Sequence, residues 1–485
     1  MSRDIPHTRL VDTAPQRLPS SWYPGDSAGV YLRSRYLGKY PTGALTWVLI
    51  SVSIFGFAWE VVESSLIGIA LGAGLQNDLG MSPTQLSWLL TSVTIAGMCA
   101  FPLAGPLVDR IGRRSAILIG LGGFVVTDMV KAIAPSFTVF LIVSIIDGVL
   151  LMLTLNPTMS LVRDYTPRGR RGLGFGILTS VGWGGGTLIT FWAGAPVLAA
   201  HAGDTFLGMS GSWRWIYFYA ALIIAIAFVL QVLIIRDVHP SLRVRRRALT
   251  STEDLSVEAH EGADAGGSVL TGIRQYLRSP RMISIFLNQG FWGIGWVGLV
   301  SFLPLILVVA VPDIDAASAA FLSGFVWIAY TLSSILTSIL QDAFHIRKPV
   351  NMIAMAGVAV SLLVFAGILS RGNGTVAGLA VLLFIIGAFA GAQYPAFASV
   401  LAGEAERINP AAVASAFALY QFISNLVGLV PRFVFPQLGA QEGGWITAVY
   451  VMAIAVCFAV PTLAAAHGPW RPRRTLPDSM KDDFI

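Results

Sequence analysis

Four acidic residues lie inside long apolar runs of the sequence, and their types and positions point to chemistry. Glu60 and Glu63 interrupt the first run, Asp128 lies in the third, and Asp147 lies near the middle of the fourth. An ionised side chain at the centre of a bilayer costs at least about 2.5–3.5 kcal/mol. Acids that are kept at such positions are therefore candidates for binding protons or charged solutes.

Glu60 and Glu63 are three residues apart, so a helix places both on one face. Two carboxylates at that spacing repel each other, and an apolar surrounding also disfavours their charged forms. We expect at least one of them to hold a proton near neutral pH and to couple solute movement to a proton gradient. In the alternative interpretation, one glutamate makes only a polar contact between helices.

Asp147 and Asp128 have different sequence surroundings. Asp147 is a candidate for proton coupling or substrate binding, but it could also pair with the hydroxyl of Thr154 or with a group on the first helix. Asp128 is followed three residues later by Lys131, near the end of its run, which predicts a local ion pair.

The second half of the chain offers uncharged polar and aromatic side chains instead of buried acids. Such groups can line a cavity near the bilayer midplane, although each alone is more often a satisfied hydrogen bond between helices. Arg432 attracts an anionic solute or, close to a helix end, extends its guanidinium to the interface. The candidate cavity residues of this half are Asn288, Gln289, Trp292, Gln393, Tyr394, Gln421 and Asn425.

Membrane-spanning helices must position these residues. The chain has 485 residues, of which 55% are hydrophobic and 12% charged, whereas a soluble domain has about 25% charged residues. This composition excludes a soluble enzyme, a disordered chain and a nucleic-acid-binding protein. A window of about 20 apolar residues finds twelve spans. The fifth and eleventh are interrupted, by the glycines of residues 182–186 and by Pro431 and Pro436.

Lysine and arginine predict the orientation of the spans. With a cytoplasmic N-terminus, 28 of the 32 basic residues fall on the cytoplasmic side, so we expect both termini there and the protein in the plasma (cell inner) membrane. The expected organisation is a cytoplasmic tail (1–42), a six-helix half (43–235), a cytoplasmic linker (236–280), a second six-helix half (281–467) and a second cytoplasmic tail (468–485).

The loop between the second and third spans contains a dense motif, which reads G-P-L-V-D-R-I-G-R-R over residues 105–114. A small residue lets two helices approach closely, and an acid at a helix end pairs with basic groups on a neighbour. The segment resembles, without mismatch, the G-x-x-x-D-R-x-G-R-R loop of the major facilitator superfamily. The motif residues are Gly105, Asp109, Arg110, Gly112, Arg113 and Arg114.

This resemblance implies an all-α membrane protein with twelve transmembrane helices in two pseudo-symmetric six-helix halves. It implies that Asp109 and Arg110 belong to a gating latch between the halves during alternating access. It also implies that helices one, four, seven and ten line the solute path, which favours the acids above and adds Asn156 to the cavity. The paired acids of helix one are similar to a pair of aspartates in aromatic-acid:proton symporters of the superfamily.

The leading hypothesis is proton-coupled symport of a small organic solute, such as an organic acid. The second is a drug or metabolite efflux antiporter, but such members often carry a Gly-Pro dipeptide in helix five, and here the glycines at 182 and 184–186 have none. A membrane sensor or scaffold without transport is the third. We expect no enzyme activity, cofactor, metal or nucleic acid. The expected partners are the solute, protons and the bilayer, and the expected state is a monomer.

Overall fold

The computed structural model describes residues 36–37, 43–165, 177–238, 265–344, 346–409, 413–468 and 470–471. Twelve helices of 15 to 33 residues make up most of this part of the chain. The first six are α1 (Ala44–Gly72), α2 (Pro83–Ile111), α3 (Arg113–Ala132), α4 (Phe137–Tyr165), α5 (Gly186–Ala200) and α6 (Trp213–Ile234). The second six are α7 (Pro280–Ala310), α8 (Ala316–Phe344), α9 (Lys348–Arg371), α10 (Val376–Ile408), α11 (Val413–Gly439) and α12 (Gly444–Thr462).

Short elements lie at the two ends of the bundle. Strand β1 pairs in parallel with β4, and β2 forms an antiparallel hairpin with β3. A further helix precedes α7. These elements are β1 (Tyr36–Leu37), β2 (Thr205–Phe206), β3 (Met209–Ser210), β4 (Asp237–Val238), the short helices Leu75–Asp78 and Ala265–Arg278, and the 3₁₀ turn Leu463–Ala465.

Short connections make consecutive helices antiparallel, so the bundle has two faces. We call the face where α1 begins and α2 ends the motif face, because residues 105–114 lie there, and the other the opposite face. Judged on the described residues alone, eight of the helices are long and apolar enough to span a membrane.

The two interrupted spans differ in backbone conformation. The glycine-rich stretch Leu178–Gly185 forms a π-helix that continues into α5. Helix α11 instead runs without a break through Pro431 and Pro436. Such breaks are tolerated in a membrane helix when neighbouring groups satisfy the freed backbone, and π-helical turns often occur at functional sites.

The halves are pseudo-symmetric because the same pairs of helices pack in each. Contacts of α1 with α6, α2 with α4, α3 with α4 and α3 with α6 recur as α7 with α12, α8 with α10, α9 with α10 and α9 with α12. The halves meet through α1 with α7, α2 with α11, and α5 with α8. The expected all-α fold of two six-helix halves is confirmed.

Side-chain contacts join the two halves towards the opposite face. The Ser87 hydroxyl of α2 donates to the carbonyl of Phe433 in α11 at 2.7 Å, and the Trp88 ring packs edge-on against the Phe433 ring. The Trp192 indole of α5 donates to the carbonyl of Phe321 in α8 at 3.2 Å. In this conformation the halves are therefore closed against each other at that face.

Candidate transport site

The paired glutamates lie in the middle of α1, at positions whose side chains are outside the described part of the structure. Their neighbours Trp59, Val61 and Val62 are buried. The structure thus describes the helix that carries Glu60 and Glu63, and their role stays a prediction.

A buried ion-pair cluster joins α3 to α4. The Lys131 ammonium lies 3.7 Å from a carboxylate oxygen of Asp128, so the predicted local ion pair is confirmed. The same ammonium also pairs with the Asp147 carboxylate of α4. All three side chains are at most 7% exposed. Asp147 is thus paired with a cation from the neighbouring helix, a partner that the sequence did not predict.

Lys131 reaches this cluster from the last turn of α3. A lysine near a helix end usually extends its ammonium to the interface, but this side chain is turned into the bundle. The Tyr217 ring of α6 lies 5.0 Å from the ammonium and adds a cation–π contact. Carboxylates and an aromatic face together offset the cost of burying the lysine.

Asp147 and Lys131 line a cavity of about 180 Å³ between the halves. Asp147 lies ten residues into α4, about 15 Å along its axis, which is close to the middle of a hydrocarbon core of about 30 Å. The wall also includes Thr94 of α2, Ser301 of α7 and both Asn425 and Arg432 of α11. This cavity combines a carboxylate, two cations and several hydrogen-bonding groups near the midplane.

Arg432 faces this cavity from the second half of the chain. Its guanidinium donates to the hydroxyl of Thr94 at 2.8 Å, a bond that connects the two halves. No carboxylate in the described ranges forms a salt bridge with it. Arg432 is therefore a half-buried cation that points at the central cavity rather than at the interface.

Asn288 and Gln289 of α7 are buried away from this cavity. The Asn288 amide donates to the carbonyl of Ala459 in α12 at 2.8 Å and lies 3.3 Å from the Met355 sulfur of α9. The Gln289 amide donates to the side-chain oxygen of Asn288 at 3.2 Å. Among the predicted cavity residues of the second half, only Asn425 belongs to the cavity of Asp147.

Aromatic rings pack together on α7 and α8 near the bilayer midplane. The ring centroids of Trp292 and Trp296 are 5.5 Å apart and nearly parallel, and Trp296 stacks on Tyr330 at 5.6 Å. Trp327 meets Trp296 edge-on at 5.3 Å. Gly184 of the π-helix lies against this wall, because a Cβ there would overlap the Thr331 hydroxyl. The second half thus presents stacked rings where the first presents charges.

Gln393, Tyr394 and Gln421 lie nearer the motif face. Gln393 is buried, its side-chain nitrogen has no hydrogen-bond partner among the described residues, and its carbonyl accepts from the amide of Asn351 at 3.1 Å. Tyr394 is half-buried, and Tyr330 and Tyr420 are buried. Gln421 is half-buried, and the side chain of Asn156 lies outside the described part.

The motif of residues 105–114 forms the tight junction between α2 and α3. Gly112 is its single connecting residue and has φ +89°, a conformation that glycine adopts without strain. The Arg114 guanidinium donates to the carbonyl of Val232 in α6 at 2.9 Å. It also donates to the carbonyl of Ile235, just after α6, at 2.8 Å. Its backbone N–H donates to the Asp237 carboxylate at 3.0 Å. Arg114 therefore holds two helices of one half together, while the side chains of Asp109 and Arg110 fall outside the described part.

A family model described as Major Facilitator Superfamily matches residues 48–431, which is most of the chain. The chain belongs to the Major Facilitator Superfamily. Members of this family are transporters rather than enzymes, so the protein is a multi-pass membrane transporter of small solutes, and the predicted family is confirmed.

Curated relatives within the superfamily match only part of their own length. The chain is 27% identical to the fatty acid resistance protein FarB of Neisseria gonorrhoeae over 36% of this chain and 31% of that protein. It is 26% identical to the multidrug export protein EmrB of Haemophilus influenzae over 37% and 33%, and 24% identical to the quinolone resistance protein NorA of Staphylococcus aureus over 36% and 45%. The match thus spans less than half of each of these relatives.

Solved structures of the superfamily match nearly the whole chain. A D-xylose-proton symporter superposes with a TM-score of 0.66 at 16% identity, covering 86% of this chain and 97% of that one. The nucleoside transporter NupG superposes with a TM-score of 0.64 at 15% identity, covering 87% and 99%. At these identities the likeness shows the fold alone.

Two residues of the site, Lys131 and Arg432, lie near helix ends in the sequence, where a cation is expected to reach the interface. Their position in the cavity is therefore not evident from the sequence pattern. A signal was nevertheless present, because the cost of burying a charge in a membrane applies to cations as well as to acids. Thr94, Ser301 and Tyr217 carried no such signal, since hydroxyls and phenols are common in membrane helices.

Proposed function

We propose that this superfamily member is a proton-coupled symporter of a small organic anion. The observation that carries the proposal is the Lys131–Asp147 ion pair, which lies in the same midplane cavity as the Arg432 guanidinium. Together these groups provide a carboxylate that can take up a proton and cations that can bind an anion.

Arg432 supports an anionic substrate. A cation in a low-dielectric cavity is unfavourable without a counter-charge, and the hydroxyl of Thr94 is neutral. A carboxylate or similar anion in the cavity accepts two parallel hydrogen bonds from a guanidinium. Substrate binding thus supplies the negative charge that Arg432 requires.

The lysine cluster supports coupling to protons. While Asp147 is ionised, two carboxylates face the single Lys131 ammonium, so the cluster carries an excess of negative charge. Protonation of Asp147 removes one of those charges, and the cavity becomes more positive. A proton and an anion therefore favour each other's binding, which is the thermodynamic requirement for symport. In α1 the cavity residue Ile67 lies one turn after position 63, so the helix register makes Glu63, and Glu60 on the same face, further proton sites in this proposal.

The bond between Arg432 and Thr94 links binding to movement. It joins α2 to α11 on the closed side of the cavity. An anion that engages the guanidinium competes with the Thr94 hydroxyl and weakens one contact that keeps the halves together there. We place the motif face in the cytoplasm from the distribution of Lys and Arg, so the closed face is the external one.

The first test measures binding to purified protein. A panel of mono- and dicarboxylates is screened by thermal shift, each beside its uncharged amide as a matched control. The anions that bind should raise the melting temperature, the amides should not, and Arg432→Gln should abolish the shift. Equal stabilisation by an acid and its amide would contradict an anion site.

The second test uses the best anion in proteoliposomes with an imposed pH gradient. Wild-type protein should accumulate it when protons flow inward. Asp147→Asn should lower the initial rate of gradient-driven uptake by about 100-fold, in the range of lost proton-transfer groups, and should retain exchange of labelled for unlabelled anion. Asp204→Asn removes an exposed acid in the loop between α5 and α6 and serves as the control that leaves accumulation unchanged. Accumulation that persists in Asp147→Asn contradicts the coupling role.

Efflux by antiport is the second candidate, because FarB, EmrB and NorA are named as resistance or export proteins. The same vesicles distinguish the two directions. A symporter accumulates the anion when protons flow into the vesicle, whereas an antiporter accumulates it when protons flow out.

A further inference from the structure

An apolar cleft of about 290 Å³ lies between α7 and α11. It shares no lining residue with the central cavity. Its wall consists only of apolar residues, including Ile283, Leu287 and Ile294 of α7 and Val427 of α11. Phe291, also in the wall, packs on Phe458 of α12, which is 60% exposed. Exposed phenylalanine on a peripheral membrane helix faces hydrocarbon, so the cleft opens to the bilayer.

The length of the cleft corresponds to one leaflet. From Ile283 to Ile294 the α7 axis rises about 16 Å, and half of the hydrocarbon core is about 15 Å. Gly290 contributes to its floor, and a Cβ there would be 3.4 Å from a methyl group of Val427. The cleft therefore has the depth and the smooth apolar wall that an acyl chain requires.

The helix Ala265–Arg278 closes the cleft at the motif face. Its Leu277 is part of the wall. The Tyr276 hydroxyl donates to the carbonyl of Asn409 at 3.2 Å, and the Asn409 amide donates to the side-chain oxygen of Gln275 at 3.0 Å. These bonds attach the helix to the connection between α10 and α11, at the level where lipid headgroups lie.

Three arginines lie near Leu277 in the chain, at the motif-face end of the cleft. Arg274 and Arg278 flank Leu277 on the exposed face of this helix, and Arg281 lies in the first turn of α7. All three are exposed, and none forms a salt bridge with a residue that the structure describes. A guanidinium binds phosphate through two parallel hydrogen bonds, and basic residues beside membrane helices bind anionic lipid headgroups.

We propose that this cleft is a binding site for one anionic phospholipid. One acyl chain lies along α7 and α11 against Gly290, and the phosphate is held by Arg278 and Arg281. The bound lipid fixes the helix Ala265–Arg278 to the second half at the membrane surface. The site is separate from the transport cavity and does not depend on which solute is carried.

The test uses delipidated full-length protein in detergent. Dioleoyl-phosphatidylglycerol, phosphatidylcholine with the same chains, and glycerol 3-phosphate are each titrated, with native mass spectrometry and melting temperature as readouts. Phosphatidylglycerol should bind and raise the melting temperature, and the other two should be much weaker. Arg278→Gln/Arg281→Gln should lower the affinity by about 25-fold, about fivefold for each arginine.

Two variants separate the parts of the proposal. Gly290→Leu fills the floor of the cleft and should lower phosphatidylglycerol affinity while the arginines remain. Arg371→Gln removes an exposed arginine at the end of α9 on the opposite face and should leave the affinity unchanged. Equal binding of both lipids, competition by glycerol 3-phosphate as strong as by the lipid, or full affinity in the double arginine variant would each overturn the proposal.

Discussion

The two halves of this transporter share their packing and differ in their chemistry. At the midplane the first half places Lys131 between Asp128 and Asp147, where α3 meets α4, whereas α7 and α8 of the second half stack Trp292, Trp296 and Tyr330. Equivalent helix pairs contact each other in both halves. Apart from Arg432, which lines the same cavity, the described residues of the second half carry no charge near the midplane. The packing that both halves share therefore does not require the charges of the first half, and these charges point to function.

The motif face shows the opposite relation, since a cation recurs there in both halves. Arg114 at the start of α3 donates to carbonyls at the end of α6. Lys348 at the start of α9 donates to the carbonyls of Ala464 and Ala466 beyond α12, at 2.6 and 2.9 Å. The last carbonyls of a helix have no partner within it, and a cation satisfies them. A cation that both halves repeat at the ends of equivalent helices is therefore structural.

The largest expected effect comes from removing Lys131. Lys131→Met leaves two carboxylates without that cation, so we expect a loss of about 3–5 kcal/mol in the free energy of unfolding. The double variant Lys131→Met/Asp147→Asn should recover a good part of that loss, because one of the acids is gone. Denaturant unfolding of the four proteins of this cycle gives the coupling energy.

A matched control lies in the other half. Lys348→Met removes a cation that hydrogen-bonds to carbonyls, and it should cost less than Lys131→Met. The proposed difference between the halves is contradicted if Lys131→Met lowers the free energy of unfolding no more than Lys348→Met does. It is also contradicted if the double variant is the least stable of the four proteins.

A smaller effect is expected from Arg114 and Lys348, the two cations that bind helix-end carbonyls at the motif face, which we call the clamps. Arg114→Gln and Lys348→Gln each lose hydrogen bonds from a charged donor, which are worth about 1.5–3 kcal/mol. Both variants should melt at lower temperature and keep proton-driven accumulation once they are reconstituted. If one of them loses accumulation at unchanged melting temperature, that clamp has a role in transport that the other lacks.

The smallest effect concerns the N-terminal caps of α2 and α8, which are equivalent helices. Ser82 caps α2 in a reciprocal pair of bonds with Gln85, and Asp315 caps α8 by accepting from the Ser318 N–H at 2.8 Å. The hydrogen bonds from Ser318 hold the pKa of the Asp315 carboxyl below its ordinary value. Its contribution is thus present above the unfolded pKa of about 3.9 and is lost as the pH falls through the lower folded value.

Substitution of either cap by alanine should therefore cost about 0.5–2 kcal/mol at pH 7. Below pH 4 the cost of Asp315→Ala should shrink, and that of Ser82→Ala should not, since the serine does not titrate. Melting temperatures of both variants between pH 3 and 7 give this difference. If the cost of both substitutions falls equally as the pH is lowered, the carboxylate of Asp315 is not the source of the pH dependence.

Much of the fold can be predicted from the sequence. Crossing a hydrocarbon core requires about 20 apolar residues, so the spans stand out by composition. Gly112 stands in the motif at a position where the chain needs positive φ. The glycines at 182 and 184–186 predict an irregular helix five. Whether the irregularity is a kink or the π-helix Leu178–Gly185 depends on packing against α1 and α8.

The family, the twelve helices and the local pair of Asp128 with Lys131 can be predicted from the chain alone, because each depends on residues close together in the chain. The contact of Lys131 with Asp147 and that of Arg432 with Thr94, 338 positions away, depend on how the helices pack. The same packing directs the Asn288 amide to α12 instead of the central cavity. Side-chain direction depends on how each helix is rotated against its neighbours, and that rotation follows from the packing of the whole bundle, not from any one helix.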